Sequence, residues 1–186
     1  MNRLPGTQQR SARGSRVSFE RARGIYALHV TRDVAHARIQ LNDTDERISA
    51  TSAVLNLLAK ADIPIFLIKL HKSGITFALA GSDLSRAEAE LSRLNLSVTT
   101  RRDLAVVAII AGSMREFSGI MTDISDALLT AGATIYETGD SHDSVQCLIE
   151  AERLSDSITC LLETFDLGAE AVTERPLQAN SEGATS

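Results

Sequence analysis

Two short segments carry the groups that could grip a small zwitterion. Each joins an apolar run to a helical pattern: Asn42 to Ala50 (NDTDERISA) and Ala111 to Gly119 (AGSMREFSG). The start of a helix offers N–H groups without an intrahelical partner and the positive end of the helix dipole, and both suit a carboxylate. A neighbouring carboxylate or carbonyl must then take the ammonium. The first segment supplies the acids Asp43, Asp45 and Glu46. In the second, Gly112 permits a tight turn, Gly119 a close backbone approach, and the Ser118 hydroxyl is placed to cap the helix. Each segment also has a plainer reading. The first would be a capped helix with solvated acids, and Gly119 would merely let its helix enter close to a neighbouring subunit.

Other chemistries lack their residues. The eleven glycines fall singly at turns and form no phosphate cradle. His29, His36, His71 and His142 have no nucleophile or base in a partnering motif, and the first two stand among alternating apolar residues, as sheet histidines do. Cys147 and Cys160 are too few for a disulfide scaffold and are not spaced as a metal knuckle. The expectation is therefore no catalytic residue, no metal and no cofactor.

The elements that must hold the two junctions form a repeat. Shifted by 70 positions, the sequence matches itself without a gap. The strand Val34 to Leu41 matches Leu104 to Ala111. A helix with Val54, Leu57, Leu58 and Ala61 on one face matches Ile124, Ala127, Leu128 and Ala131, at helical spacings of three and four. The helices close on the turn residues Asp62 and Gly132. Ile63 to Leu70 then matches Ala133 to Thr138, and Ile75 to Ala80 matches Val145 to Glu150. A second helix follows in each copy, with Leu84, Ala87, Leu91 and Leu94 in the first and Leu154, Ile158, Leu161 and Phe165 in the second. The order β-α-β-β-α occurs twice, which is α+β and ferredoxin-like rather than Rossmann-like.

The closing strand of each unit fixes the expected domain plan. Leu96 to Thr100 closes the first unit, whereas only the weak stretch Gly168 to Val172 follows the second. Gly24 to Val30 is β-rich and has no partner in the first repeat, so it is expected to complete the second unit, with the first inserted inside it. The expected plan is a disordered basic leader over 1–23, the completing strand over 24–33, units over 34–101 and 102–166, and a disordered tail over 167–186. Two sequential, separate units are the alternative.

Length and charge bound what remains. The 186 residues are 44% hydrophobic, enough for one medium domain or two small ones. No apolar run approaches the roughly 20 residues needed to span a bilayer, and no secretory signal is apparent, so a reduced, cytoplasmic setting is expected. Residues 1–23 hold six arginines against the single acid Glu20, a net +5 within a chain of net −5. Without interleaved aromatics this leader reads as a solvated tail, and nucleic-acid binding is not expected.

The segment LAVVAIIAGSMREFSGIMTDISDALLTAGATI (104–135) resembles the C-terminal ACT domain of aspartokinases. Met114-Arg115, Gly119 and Ala131-Gly132 stand at the family positions with the family spacing, and Ser141 is kept from the family's Thr-Ser-Glu. GIYALHVTRDVAHARI and IPIFLIKLHKSGITFAL resemble the preceding strand and the first ACT unit. The likeness covers about Gly24 to Phe165 and implies two ACT (βαββαβ) units in tandem. It also implies ligand contacts at Asp45, Ile48, Ser49, Ala50, Leu70 and His71 in the first unit. In the second they fall at Ser113, Met114, Arg115, Ser118, Gly119, Ile120 and Ser141. Asp45 matches a family aspartate that helps hold the effector. Ser49 and Ile48 replace a family Gly and the Pro before it, Leu70-His71 replaces Gln-Asn, and Ser118 replaces Pro. His71 is the residue able to restore one of the lost hydrogen bonds.

The resemblance implies a non-catalytic regulator that binds lysine or threonine at ACT interfaces, because a kinase domain of about 250 residues does not fit in this length. Open sheet edges imply a homodimer, and an aspartokinase or related enzyme is the expected partner. The alternatives are an assembly module with decayed pockets, part of a split aspartokinase, or a regulator that uses the arginine leader on nucleic acid.

Overall fold

The computed structural model describes residues 24–41, 47–112 and 119–177. Strand β1 (Ile25–Gln40), helix α1 (Arg47–Lys60), β2 (Ile65–His71), β3 (Gly74–Ala80) and α2 (Leu84–Leu91) come first. They are followed by β4 (Ser97–Ala111), α3 (Ile120–Thr130), β5 (Glu137–Asp140), β6 (Ser144–Glu150), α4 (Leu154–Thr164) and β7 (Val172–Glu174). The strands form one seven-stranded sheet in the order β2-β3-β1-β4-β6-β5, with β7 parallel to β1.

The halves are joined through their two longest strands. β1 and β4 run antiparallel, and each serves both units. Residues 36–40 of β1 pair with 97–101 of β4, whereas 25–31 pair with 106–111. The sequence pattern divides each of these into two strands, whereas in the structure each is a single continuous strand. The change of register falls beside Asp33 (φ 54°) and Asp103 (φ 57°), which are 70 positions apart. Aspartate tolerates this left-handed backbone, so the chain can bend there and still continue as a strand. The β1 stretch 25–31 thus lies on the sheet of the second repeat, and 34–40 on that of the first.

Each half carries its helices on one face. Ala35, Ala37, Ile39, Phe77 and Leu79 meet Val54, Leu58, Leu84, Ala87 and Leu91 under α1 and α2. Ala105, Val107, Ile109, Cys147 and Ile149 meet Ile124, Leu128, Leu154 and Leu161 under α3 and α4, with Leu28 and Val30 of β1 added. The strand residues of each set alternate, the period of a half-covered strand, and the helix residues keep spacings of three and four. Asp62 and Gly132 close α1 and α3 in the left-handed conformation, at φ 51° and 71°. The other sheet face holds a smaller cluster of Val34, Ala78, Leu104, Val106 and Leu148, joined by Phe66, Leu67 and Tyr136.

Two local expectations are corrected. The strand expected over 133–138 starts only at Glu137. Before it, the Thr134 N–H donates to the Glu150 carboxylate (2.8 Å), so a side chain takes the place of a ladder partner. The expected disordered tail is structured through residue 177. β7 lies beside Leu28–Val30, the Arg175 N–H donates to the Val30 carbonyl (2.7 Å), and Glu174 pairs with Arg32. The basic leader 1–23 and residues 178–186 lie outside the described residues. Among the described residues no helix is long and apolar enough to cross a membrane.

Candidate functional site

Both strand-helix junctions border an open cavity. The first, of about 610 Å³, lies between α1 and the β2–β3 turn and is lined by Ile48, Thr51, Ser52, Leu55, Asn56, Leu70, His71, Lys72 and Gly74. Of the residues expected there, the structure brings together Ile48, Leu70 and His71. Ser49 and Ala50 belong to the first turn of α1 but not to the lining, and Asp45 lies outside the described residues. Ile48 is 80% exposed and Leu70 67% exposed, so the rim offers apolar surface to whatever enters. Thr51, Ser52, Leu55, Asn56 and Lys72 were not anticipated. The α1 members follow Ile48 at three, four, seven and eight positions, so a helical-face count would have found them.

The second cavity, of about 540 Å³, is lined by Ile120, Met121, Thr138, Gly139, Asp140, Ser141, His142 and Val145. Of the expected residues, Ile120 and Ser141 line it. Gly119 adjoins it as the N-cap of α3, with φ 84°, a conformation that glycine adopts without strain. The cap position therefore falls on Gly119 rather than Ser118. Ser113, Met114, Arg115 and Ser118 lie outside the described residues. Ser141 is already committed: its hydroxyl donates to Asp143 (2.8 Å) and accepts the Ser144 N–H (3.1 Å), which shapes the β5–β6 turn. Asp140 is an acid in this lining that the sequence reading missed.

Between the cavities, β2 and β5 come into contact. Leu67, itself at φ 48°, lies against Gly139 so closely that a β-carbon there would collide with its Cδ2. The Thr76 hydroxyl donates to Glu137 Oε2 (2.7 Å), and His71 Nε2 lies 3.3 Å from the same hydroxyl. His36 Nε2 is 3.6 Å from Glu137, too far for a hydrogen bond, and is buried without a hydrogen-bond partner. Burial pushes the His36 imidazole below its usual range. Glu137 opposes that shift, while Arg101 and Arg38 reinforce it. Arg101 also stacks over the Tyr136 ring at 4.5 Å.

Glu150 completes this region by accepting from both the Tyr136 hydroxyl and the Thr134 N–H at 2.8 Å. Burial alone would raise its carboxyl pKa, but the hydrogen bonds outweigh burial and hold it at about 2, below the ordinary 4.5. Because the folded pKa lies below the unfolded one, this carboxylate stabilises the fold fully above pH 4.5 and loses that effect as pH falls towards 2. In acid titrations followed by circular dichroism, Glu150→Gln is expected to lose less stability than the wild type across that window. Parallel acid limbs would contradict this.

Among the described residues there is no cluster of His, Cys, Asp and Glu that could hold a metal ion. Burial pushes the Cys147 thiol up to about 12, so it stays protonated and inert.

Set against known proteins, the paired cavities acquire a context. No family model matches the sequence. Aspartokinase 1 of Bacillus subtilis is 23% identical over 114 residues, which is 61% of this chain and 28% of that protein. The chain therefore spans under a third of this relative. The ligand-free regulatory subunit of aspartate kinase from Thermus thermophilus superposes with a TM-score of 0.70 at 17% identity, covering 78% of this chain and all of that one. This chain has the fold of an aspartokinase regulatory region. Aspartokinase III of E. coli, solved with lysine and aspartate, also shares it, with a TM-score of 0.62 at 19% identity over 77% of this chain and 33% of that one. The α+β, tandem ACT-like architecture is thus shared with proteins described as regulatory.

Proposed function

We propose that this chain is a non-catalytic amino-acid sensor that binds lysine or threonine in the cavities beside α1 and α3. It acts in the cytoplasm as a homodimer and modulates an aspartokinase or related enzyme of aspartate-family amino-acid synthesis. One sensing unit comprises residues 34–101 and the other residues 24–33 with 102–166. The observation that carries this reading is the recurrence of one design: an open cavity bounded by the start of a helix and a β-hairpin is found in both repeats. Such a place meets a ligand carboxylate with backbone N–H groups. Asp140 in the second cavity, and in the first unit Asp45 by its match to the family aspartate, would take the ammonium. The lysine bound by aspartokinase III of E. coli supports the ligand class.

The test is a calorimetric titration with lysine, threonine and the other amino acids of that family. Saturable heat for one of them supports the sensor. Silence for all of them, together with co-purification of an enzyme partner independent of amino acids, would favour an assembly module. The exposed apolar rim of Ile48 and Leu70 is the observation in favour of that second reading.

A further inference from the structure

A series of side chains runs from the first unit's cavity into the second unit. His71 lines that cavity, and its Nε2 lies 3.3 Å from Thr76 Oγ1. The Thr76 side chain is buried, and its hydroxyl is 2.7 Å from Oε2 of Glu137, at the start of β5. Glu137 has no equivalent in the first repeat, where Leu67 stands 70 positions earlier.

The direction of this series follows from counting protons. A carboxylate only accepts, and a threonine hydroxyl has a single proton. Thr76 therefore spends its proton on Glu137 and can only accept from His71. Nε2 must then carry the ring proton of a neutral His71, which leaves Nδ1 as its unprotonated acceptor. No further hydrogen bond to this ring occurs among the described residues.

We propose that Glu137 is a positioning residue of the first unit's cavity: acting through Thr76, it holds His71 as the Nε2–H tautomer and keeps Nδ1 free to accept from a ligand ammonium. The use of that acceptor rests on the amino-acid reading above, but the tautomer does not. His36 Nε2 lies 3.6 Å from the same Oε2 atom of Glu137, and Arg38 and Arg101 stand near the His36 ring.

Nitrogen-15 NMR of the ligand-free protein at about pH 8, where imidazoles are neutral, reads the tautomer directly. The wild type is expected to favour Nε2–H at His71 by about fivefold, the worth of a hydrogen bond to a neutral hydroxyl. In Glu137→Leu, which installs the residue of the other repeat, Thr76 can turn its proton toward His71, and the ratio should fall at least about threefold. Thr76→Val should lower it similarly, while Thr76→Ser should preserve it. A wild-type ratio near unity, or an unchanged ratio in whichever of Glu137→Leu and Thr76→Val retains the sheet spectrum, would overturn the proposal. Because no ligand is present, failure here leaves the calorimetric result untouched, and a silent calorimeter leaves the tautomer assignment standing.

Discussion

Replacing Phe77 by alanine is expected to destabilise the protein by about 3–5 kcal/mol. Phe77 is fully buried on β3, among the largest fully buried side chains, and it packs in the cluster that α1 and α2 cover. Its removal loses the transfer free energy of the ring and leaves a cavity that two helices and three strands cannot close without shifting. For a chain of this length the expected fall in Tm is roughly 6–20 °C. Leu129→Ala is the control, because Leu129 on α3 is 74% exposed, and truncation there should change stability by no more than about 0.5 kcal/mol. Thermal or urea unfolding distinguishes the two substitutions. Equal effects would mean that Phe77 is not a core residue.

The second large effect concerns β1. A chain lacking residues 1–30 loses Leu28 and Val30, 0% and 1% exposed in the second unit's core, the partner of β4 residues 107–111, and the strand on which β7 rests. The two side chains alone represent about 3–6 kcal/mol of burial, comparable to the whole stability of a small domain. Hydrogen exchange should show the amides of β6 losing protection, while those of β3, which pairs with the retained part of β1, keep more of theirs. An unchanged melting profile would defeat the inserted topology.

Much of this fold was legible because each repeat repeats its own periodicities. The 70-residue shift aligned the helices by their spacings of three and four, and Asp62 and Gly132 marked the ends of α1 and α3. The continuity of β1 and β4 was not legible. Thr31-Arg32-Asp33 and Arg101-Arg102-Asp103 interrupt the apolar alternation, and only the left-handed backbone at the aspartates shows that the strands carry on. β7 was missed because Val172–Glu174 is too short and polar to signal a strand, and it is held by bonds to β1, remote in sequence.

The candidate site was read unevenly for a similar reason. Ile48, Leu70, His71, Ile120 and Ser141 were expected and line the cavities. Thr51, Ser52 and Asn56 share the cavity face of α1, yet they pass for a solvated helix surface when polarity alone is weighed. Asp140 lies in a turn-rich stretch where an acid is unremarkable. Glu137 is 61 residues from Thr76, and nothing local in ATIYET marks a carboxylate that meets the other unit.

As proposed, each repeat holds an amino acid between the start of its helix and its hairpin. The most direct measurement is an amide NMR titration of the labelled protein with threonine and with lysine, followed residue by residue. Saturable shifts are expected to concentrate at Ile48, Thr51, Ser52 and Leu70–Gly74, at Ile120, Met121 and Thr138–Val145, or at both. Saturating shifts that avoid both groups, or none with any aspartate-family amino acid, would contradict this proposal.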